Sequence, residues 1–187
     1  MPDTSASSNS TRTVPRWGIA GAAFIVLSGS ALHFAFDWSG GWRPVALLAA
    51  VNESIWEHLK LAFWPGLLWA AIERACMRPV PNGFWATKGL ALVVPPVLIV
   101  AIFNTYTALL GRNLLALDIG TFVAAVVAGQ LVSTLLLMAG TARGVLAVTG
   151  RIALAVQALA FATLTYYPPA FGIFVDSRNG LRGILPP

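Results

Sequence analysis

Five stretches of this chain, residues 17–36, 53–77, 85–110, 118–138 and 152–167, are predominantly apolar over close to the length that crosses a bilayer. That pattern constrains the fold more than any other feature. In hydrocarbon no water satisfies a backbone N–H or C=O, so a crossing segment must bond internally as a helix or close into a barrel. Runs this long, without period-2 alternation, predict helices. The expected fold is an all-α polytopic membrane bundle of about five transmembrane helices. Composition agrees. Only 10% of the 187 residues are charged and 57% are hydrophobic, against about 25% charged in soluble domains.

The remaining segments read as punctuation. Residues 1–15 are rich in Ser and Thr, lack apolar periodicity and are expected as a disordered tail. Residues 16–167 form the membrane domain, and 168–187 a tail or lid stopped off by Pro168-Pro169. Small residues at Ser28-Gly29-Ser30-Ala31 match a signal-peptide cleavage site, but apolar residues continue through Ala35-Phe36, which favours a retained span. Residues 45–51 are apolar but too short to cross and read as an interfacial piece. Pro65 and Pro95-Pro96 predict kinks in the second and third spans.

Lys and Arg set the orientation. A cytoplasmic N-terminus puts Arg12, Arg16, Arg74, Arg78, Lys88, Arg143 and Arg151 inside, and Arg43, Arg112, Arg178 and Arg182 outside. The odd number of spans then places the C-terminus outside. Asp37, Glu53, Glu57, Asp118 and Asp176 all fall on the outer side, together with His33 and His58. Nearly every group able to act as acid, base or ligand is thus expected on one membrane face. The pI near 10.2 follows from basic residues at helix ends and implies no nucleic-acid partner.

The densest chemistry is Asn52-Glu53-Ser54-Ile55-Trp56-Glu57-His58-Leu59-Lys60. On a helix Glu53 and Glu57 share a face, with Lys60 on the same stripe. Ionisable groups at the mouth of a spanning helix are functional suspects. Glu53, Glu57, His58 and Lys60 are the candidate catalytic residues. His33, Glu57 and His58 form a candidate two-histidine, one-carboxylate ligand set for a divalent metal, zinc or iron. The competing reading is a Glu/Lys ion-pair network at a helix N-terminus, with the histidines bonded to backbone or lipid phosphate. Supporting candidates are Asn52, Asp37 (four residues from His33 and so placed to orient its ring), Asn104, Tyr106, Asp118 as a helix cap, and Asp176. The lone Cys76 excludes an intramolecular disulfide, and no phosphate-binding Gly-rich loop, serine elbow or haem-attachment motif is present.

The nine-residue run resembles the signature of a small bacterial integral-membrane family, a domain of unknown function. The similarity extends to His33-Phe34, Asp37-Trp38-Ser39-Gly40, Tyr106-Thr107, Gly111, Asp118-Ile119, Phe122, Gln130, Pro168-Pro169, Phe174 and Asp176. It departs at Ser177, where that family tends to have proline, and at Leu181-Arg182-Gly183, where it tends to have a tyrosine-glycine pair. The resemblance implies a multi-pass protein of the bacterial cytoplasmic membrane and marks the site without naming a reaction.

Two functional classes stay open. One is an intramembrane hydrolase or transferase acting on a lipid or lipid-linked substrate at the outer face. The other is a non-catalytic membrane subunit or assembly factor whose polar cluster pins the fold and docks a protein partner. A small transporter is third, because the polar groups gather at one end of the bundle.

Overall fold

The computed structural model describes residues 4–184. It is all-helical, with α1 (Thr4–Trp38), α2 (Ile55–Cys76), α3 (Phe84–Ala91), α4 (Val94–Leu110), α5 (Leu115–Ala139) and α6 (Gly144–Thr163). Four stretches are long and apolar enough to cross a membrane: Val14–Trp38, Phe84–Leu110, Leu115–Ala139 and Gly144–Thr163. The second of these is α3 and α4 end to end.

Several boundaries differ from expectation, each for a local reason. Helix α1 starts at Thr4, so residues 4–15, expected as a disordered tail, belong to the same helix, with Pro15 inside it. The third span is broken rather than kinked. Pro95 and Pro96 lack the N–H that would continue α3, so they open a new helix at the first-turn positions where proline is tolerated. Helix α6 begins at Gly144, eight residues before the expected Ile152, and only Gly140–Arg143 remains as a turn. Asp118 is not the cap of α5. Leu114 holds that position, and Asp118 sits in the first turn.

Helix α2 was expected as a span but is not among the four apolar stretches, because Glu57, His58, Lys60, Glu73 and Arg74 lower its hydropathy. Much of it lies in the interior, with Glu57, Lys60, Ala62, Phe63, Ala70 and Glu73 all buried. Helices α1 and α2 run antiparallel. Gly21 meets Trp69, Gly29 meets the Leu61 carbonyl, and His33 meets His58. Ile25, Phe63, Leu92, Ile99, Val126 and Phe161 close the central core from α1, α2, α4, α5 and α6, with Leu92 at the α3–α4 break.

Glycine decides the α3–α6 contact. A Cβ on Gly150 would overlap the Ala86 carbonyl, and one on Gly89 would overlap the Gly150 carbonyl. Gly150→Val is therefore expected to push the helices apart and destabilise the fold by about 1–3 kcal/mol. Gly120→Ala, in open space on α5, should stabilise it by about 0.5–1 kcal/mol. Unfolding titrations of the two variants in detergent check the contrast.

A second polar centre sits toward the far end of α2. Lys88 donates to Glu73 at 2.5 Å and to Ser133 at 2.8 Å, tying α3 to α2 and α5. All three residues are buried. From sequence Lys88 counts only toward the inward bias of basic residues, and nothing there pairs it with Glu73. Their opposite signs, each inside an apolar run, were the available signal.

Candidate functional site

The site starts from a turn. The Asn52 side-chain carbonyl accepts from the Ser54 N–H at 2.9 Å, and Ser54 then caps α2 by accepting from the Glu57 N–H at 3.4 Å. Glu53 therefore precedes the helix. The four-residue spacing that would place it on one face with Glu57 does not apply, and the two carboxylates part company.

Glu53 turns toward the histidines. Its carboxylate oxygens lie 3.9 Å from His33 Nε2 and 3.6 Å from His58 Nε2, and the two Nε2 atoms are 3.2 Å apart. One ligand atom from each residue can be chosen with all three within 4.8 Å of one another. The side chains are only partly exposed, 29% for His33, 32% for His58 and 23% for Glu53. His58 Nδ1 sits 2.8 Å from the Ser54 carbonyl. A carbonyl can only accept, so the hydrogen-bond network assigns a ring proton to His58 Nδ1, and in the neutral ring Nε2 then accepts from His33 Nε2–H at 3.2 Å, a bond that a metal between the rings would replace. Donation of Nδ1–H to a carbonyl is how metal-ligating histidines are held.

Glu57, expected among the ligands, points elsewhere. It is buried with Lys60, whose ammonium reaches Glu57 Oε2 at 2.6 Å, the Ala46 carbonyl at 2.7 Å and Thr165 Oγ1 at 2.8 Å. Those three acceptors match an ammonium's three donors. Thr165 donates to Glu57 Oε1 at 3.0 Å, and the Val51 N–H donates to Oε2 at 3.2 Å. Glu57 and Lys60 thus fasten the 43–51 segment, α2 and the end of α6 into one closed network. Neither presents a free group to a substrate.

Over the group lies a hairpin, residues 175–183, closed by an antiparallel bridge between Val175 and Arg182. Arg178 Nη2 reaches Glu53 Oε1 at 3.1 Å while its side chain stays 74% exposed. Asn52 Nδ2 donates to the Gly183 carbonyl at 3.0 Å, and the Ser177 hydroxyl to the Glu53 carbonyl at 3.5 Å. Asp176, buried, accepts from the Arg178 N–H at 2.7 Å and from Asn179 Nδ2 at 3.2 Å. Trp56 seats the segment below, its ring centroid 4.6 Å from Phe174 and 4.8 Å from Phe161. Asp176→Ala leaves these donors unpaired and should cost the hairpin about 1–3 kcal/mol. Faster tryptic cleavage at Arg178 and Arg182 is the expected readout.

Of the expected residues, His33, Glu53, His58, Asn52 and Asp176 come together. Others do not. Although α1 does continue past His33, Asp37 is exposed, and His33 Nδ1 is buried with no hydrogen-bond partner among the described residues. Tyr106 donates to Asp118, which Asn113 also approaches at 3.5 Å, so this set closes the α4–α5 turn. Asn104 bonds its own helix at the Val100 carbonyl, 2.7 Å away. Arg178 and Thr165 were missed. Neither sits in a spacing pattern, and only the folded chain brings residues 165 and 178 to the 52–60 segment.

A family model matches residues 6–184, nearly the whole chain. The chain belongs to the family of unknown function DUF6512. No curated protein and no solved structure matches it. Within DUF6512, then, the functional reading of this member rests on its own geometry.

Proposed function

We propose that His33, Glu53 and His58 hold a divalent transition metal, zinc or iron, at the outer face of the bacterial cytoplasmic membrane. There the protein acts as an intramembrane hydrolase or transferase on a lipid or lipid-linked substrate. The supporting observation is the 3.2 Å separation of the two Nε2 atoms. Two nitrogens at about 2.0–2.1 Å from a tetrahedral zinc stand about 3.3 Å apart, and the nearest Glu53 oxygens stand at 3.6 Å from His58 and 3.9 Å from His33, so the carboxylate would have to move inward to ligate. Three protein ligands leave a position for water. A bound metal supplies a hydroxide near neutral pH and polarises a carbonyl or phosphoryl oxygen.

The residues around the metal have separate tasks in this reading. Ser54 holds the His58 tautomer, and Asn52 aims Glu53. Arg178, tied to Glu53 by one nitrogen, keeps its other donors for developing negative charge. Glu57 and Lys60, first considered as acid/base and anion contact, hold the scaffold. Helix α2 crosses the membrane as a fifth span, its charges shielded by the four apolar stretches.

The test is turnover. Zinc-loaded protein in vesicles should hydrolyse a fluorescent lipid ester or a lipid phosphate, and EDTA treatment and His58→Ala should each abolish it. Inactivity of zinc-loaded protein on both probes would count against catalysis.

One observation favours the non-catalytic reading. Arg178 already neutralises Glu53 at 3.1 Å, so the cluster balances its charge with no metal and pins the hairpin to α1 and α2. Wild-type protein that takes up no zinc and falls apart in Glu53→Gln would establish that role. Transport has less support, since Ala62, Phe63 and Val126 fill the bundle between the Lys60 and Lys88 centres.

A further inference from the structure

The break between α3 and α4 leaves backbone groups to account for. The Lys88 carbonyl accepts from the Leu92 N–H at 2.9 Å, the Gly89 carbonyl from Gln157 Nε2 at 3.4 Å, and the Leu90 carbonyl from the Val93 N–H at 3.2 Å. The next two carbonyls would be served four residues on, by Pro95 and Pro96, which have no N–H. The Leu92 carbonyl has no hydrogen bond among the described residues. The Ala91 carbonyl lies toward α5, where a Cβ on Gly129 would stand 3.5 Å from it.

Ala91, Leu92 and Pro95 line a small cavity of about 10 Å³, together with Lys88 of α3 and Gln130 and Ser133 of α5. Glycines at 66 and 129 keep that space open. Its polar side chains are all buried and each has capacity left over. Lys88 uses two of its three N–H bonds, on Glu73 and Ser133. The Phe84 ring, 5.3 Å from Nζ to its centroid, attracts the charge without replacing a hydrogen bond. Ser133 accepts from Lys88, and its own proton has no acceptor among the described residues. Gln130 Oε1 is buried and likewise without a partner there.

We infer that one water molecule is bound at the α3–α4 break, accepting from Lys88 or Ser133 and donating to the Ala91 carbonyl and Gln130. The site is separate from the His33–Glu53–His58 cluster and stands without the metal-centred reading.

The chemistry of the lining selects the ligand. Donors and acceptors surround one space, so its occupant must both accept and donate. A cation would meet the Lys88 ammonium, and an anion would meet carbonyl oxygens. The volume is about the least that holds a single water, which needs two to four polar partners. Setting adds to this, because Ala91 and Leu92 lie inside the Phe84–Leu110 stretch. Hydrocarbon cannot serve a carbonyl freed by proline, and ordered water is one of the means by which spanning helices tolerate such breaks. Bound there, the water joins the Glu73–Lys88–Ser133 set to the start of α4, so one network ties α2, α3, α4 and α5.

The experiment uses the full chain, labelled with carbon-13, in lipid vesicles, and solid-state NMR that transfers magnetisation from water. Transfer to the Ala91 carbonyl carbon should be about tenfold stronger than to that of Ile99, which is deeper in the same stretch, as expected beside a buried water. Gly129→Ala, which puts a methyl group into the space, should bring Ala91 down to the Ile99 level. Gln130→Met, which keeps the side chain's size and removes an acceptor, should weaken the transfer with the other carbonyl shifts unmoved. Wild-type transfer to Ala91 no stronger than to Ile99 would overturn the inference. So would transfer unchanged in both variants, or an Ala91 carbonyl shift that follows sodium concentration, which would put a cation in the cavity.

Discussion

Lys60→Met is expected to destabilise the protein by about 3–5 kcal/mol, the usual cost of leaving a buried carboxylate without its partner. Lys60 is fully buried, and its three donors satisfy Glu57, the Ala46 carbonyl and Thr165. Removing it leaves Glu57 without its cation in the bundle interior and takes away one of the two hydrogen bonds that join α2 to Thr165. Glu57→Gln should cost a comparable amount, because it strands the ammonium instead. The double variant should cost well under the sum of the two, since the charges vanish together and only the neutral partners remain unpaired. Denaturant titration of the four proteins in detergent gives the coupling energy. Additive costs would mean that the pair is not the electrostatic unit described here.

The second large effect concerns zinc. Wild-type protein dialysed against zinc should retain one equivalent, and His33→Ala, Glu53→Ala and His58→Ala should each weaken binding by more than about 100-fold. Loss of an outer-shell partner alone costs 10–100-fold, and a lost ligand costs more. Folded Glu57→Gln should keep its zinc, since Glu57 faces Lys60 and Thr165 and not the histidines. That contrast separates the Glu53 cluster from the ligand set His33, Glu57 and His58 expected from spacing alone. A Glu57→Gln protein that folds and loses zinc would reverse the assignment.

Much of the helical architecture was legible because it follows from apolar run length, which is local. The importance of residues 52–60 was legible too, since charge inside a hydrocarbon-rich chain stands out. The internal division of that segment was not. It turned on whether α2 starts at Glu53 or at Ile55, and a two-residue shift sends Glu53 to the histidines and leaves Glu57 inside. Such ends are set by capping details as small as the Asn52–Ser54 turn. Arg178 and Thr165 were illegible for another reason: they meet Glu53 and Glu57 across more than a hundred residues, and no periodicity reports contacts of that range. Glu73 and Lys88 were visible as charges, but pairing them required knowing that α3 packs beside α2.

The closed network around Lys60 also bears on how the chain is assembled during synthesis. Lys60, in the second turn of α2, is buried together with Glu57 and Glu73, and in a helix standing alone those charges would lack most of the partners they have in the bundle. Their partners arrive at different times. Ala46 and Glu57 leave the ribosome beside it, Lys88 follows soon after to meet Glu73, and Thr165 comes only after α6. The network around the buried charges of α2 is therefore closed last, by Thr165. A chain stopped before residue 165 would hold α2 with one Lys60 donor and one Glu57 oxygen short of a partner.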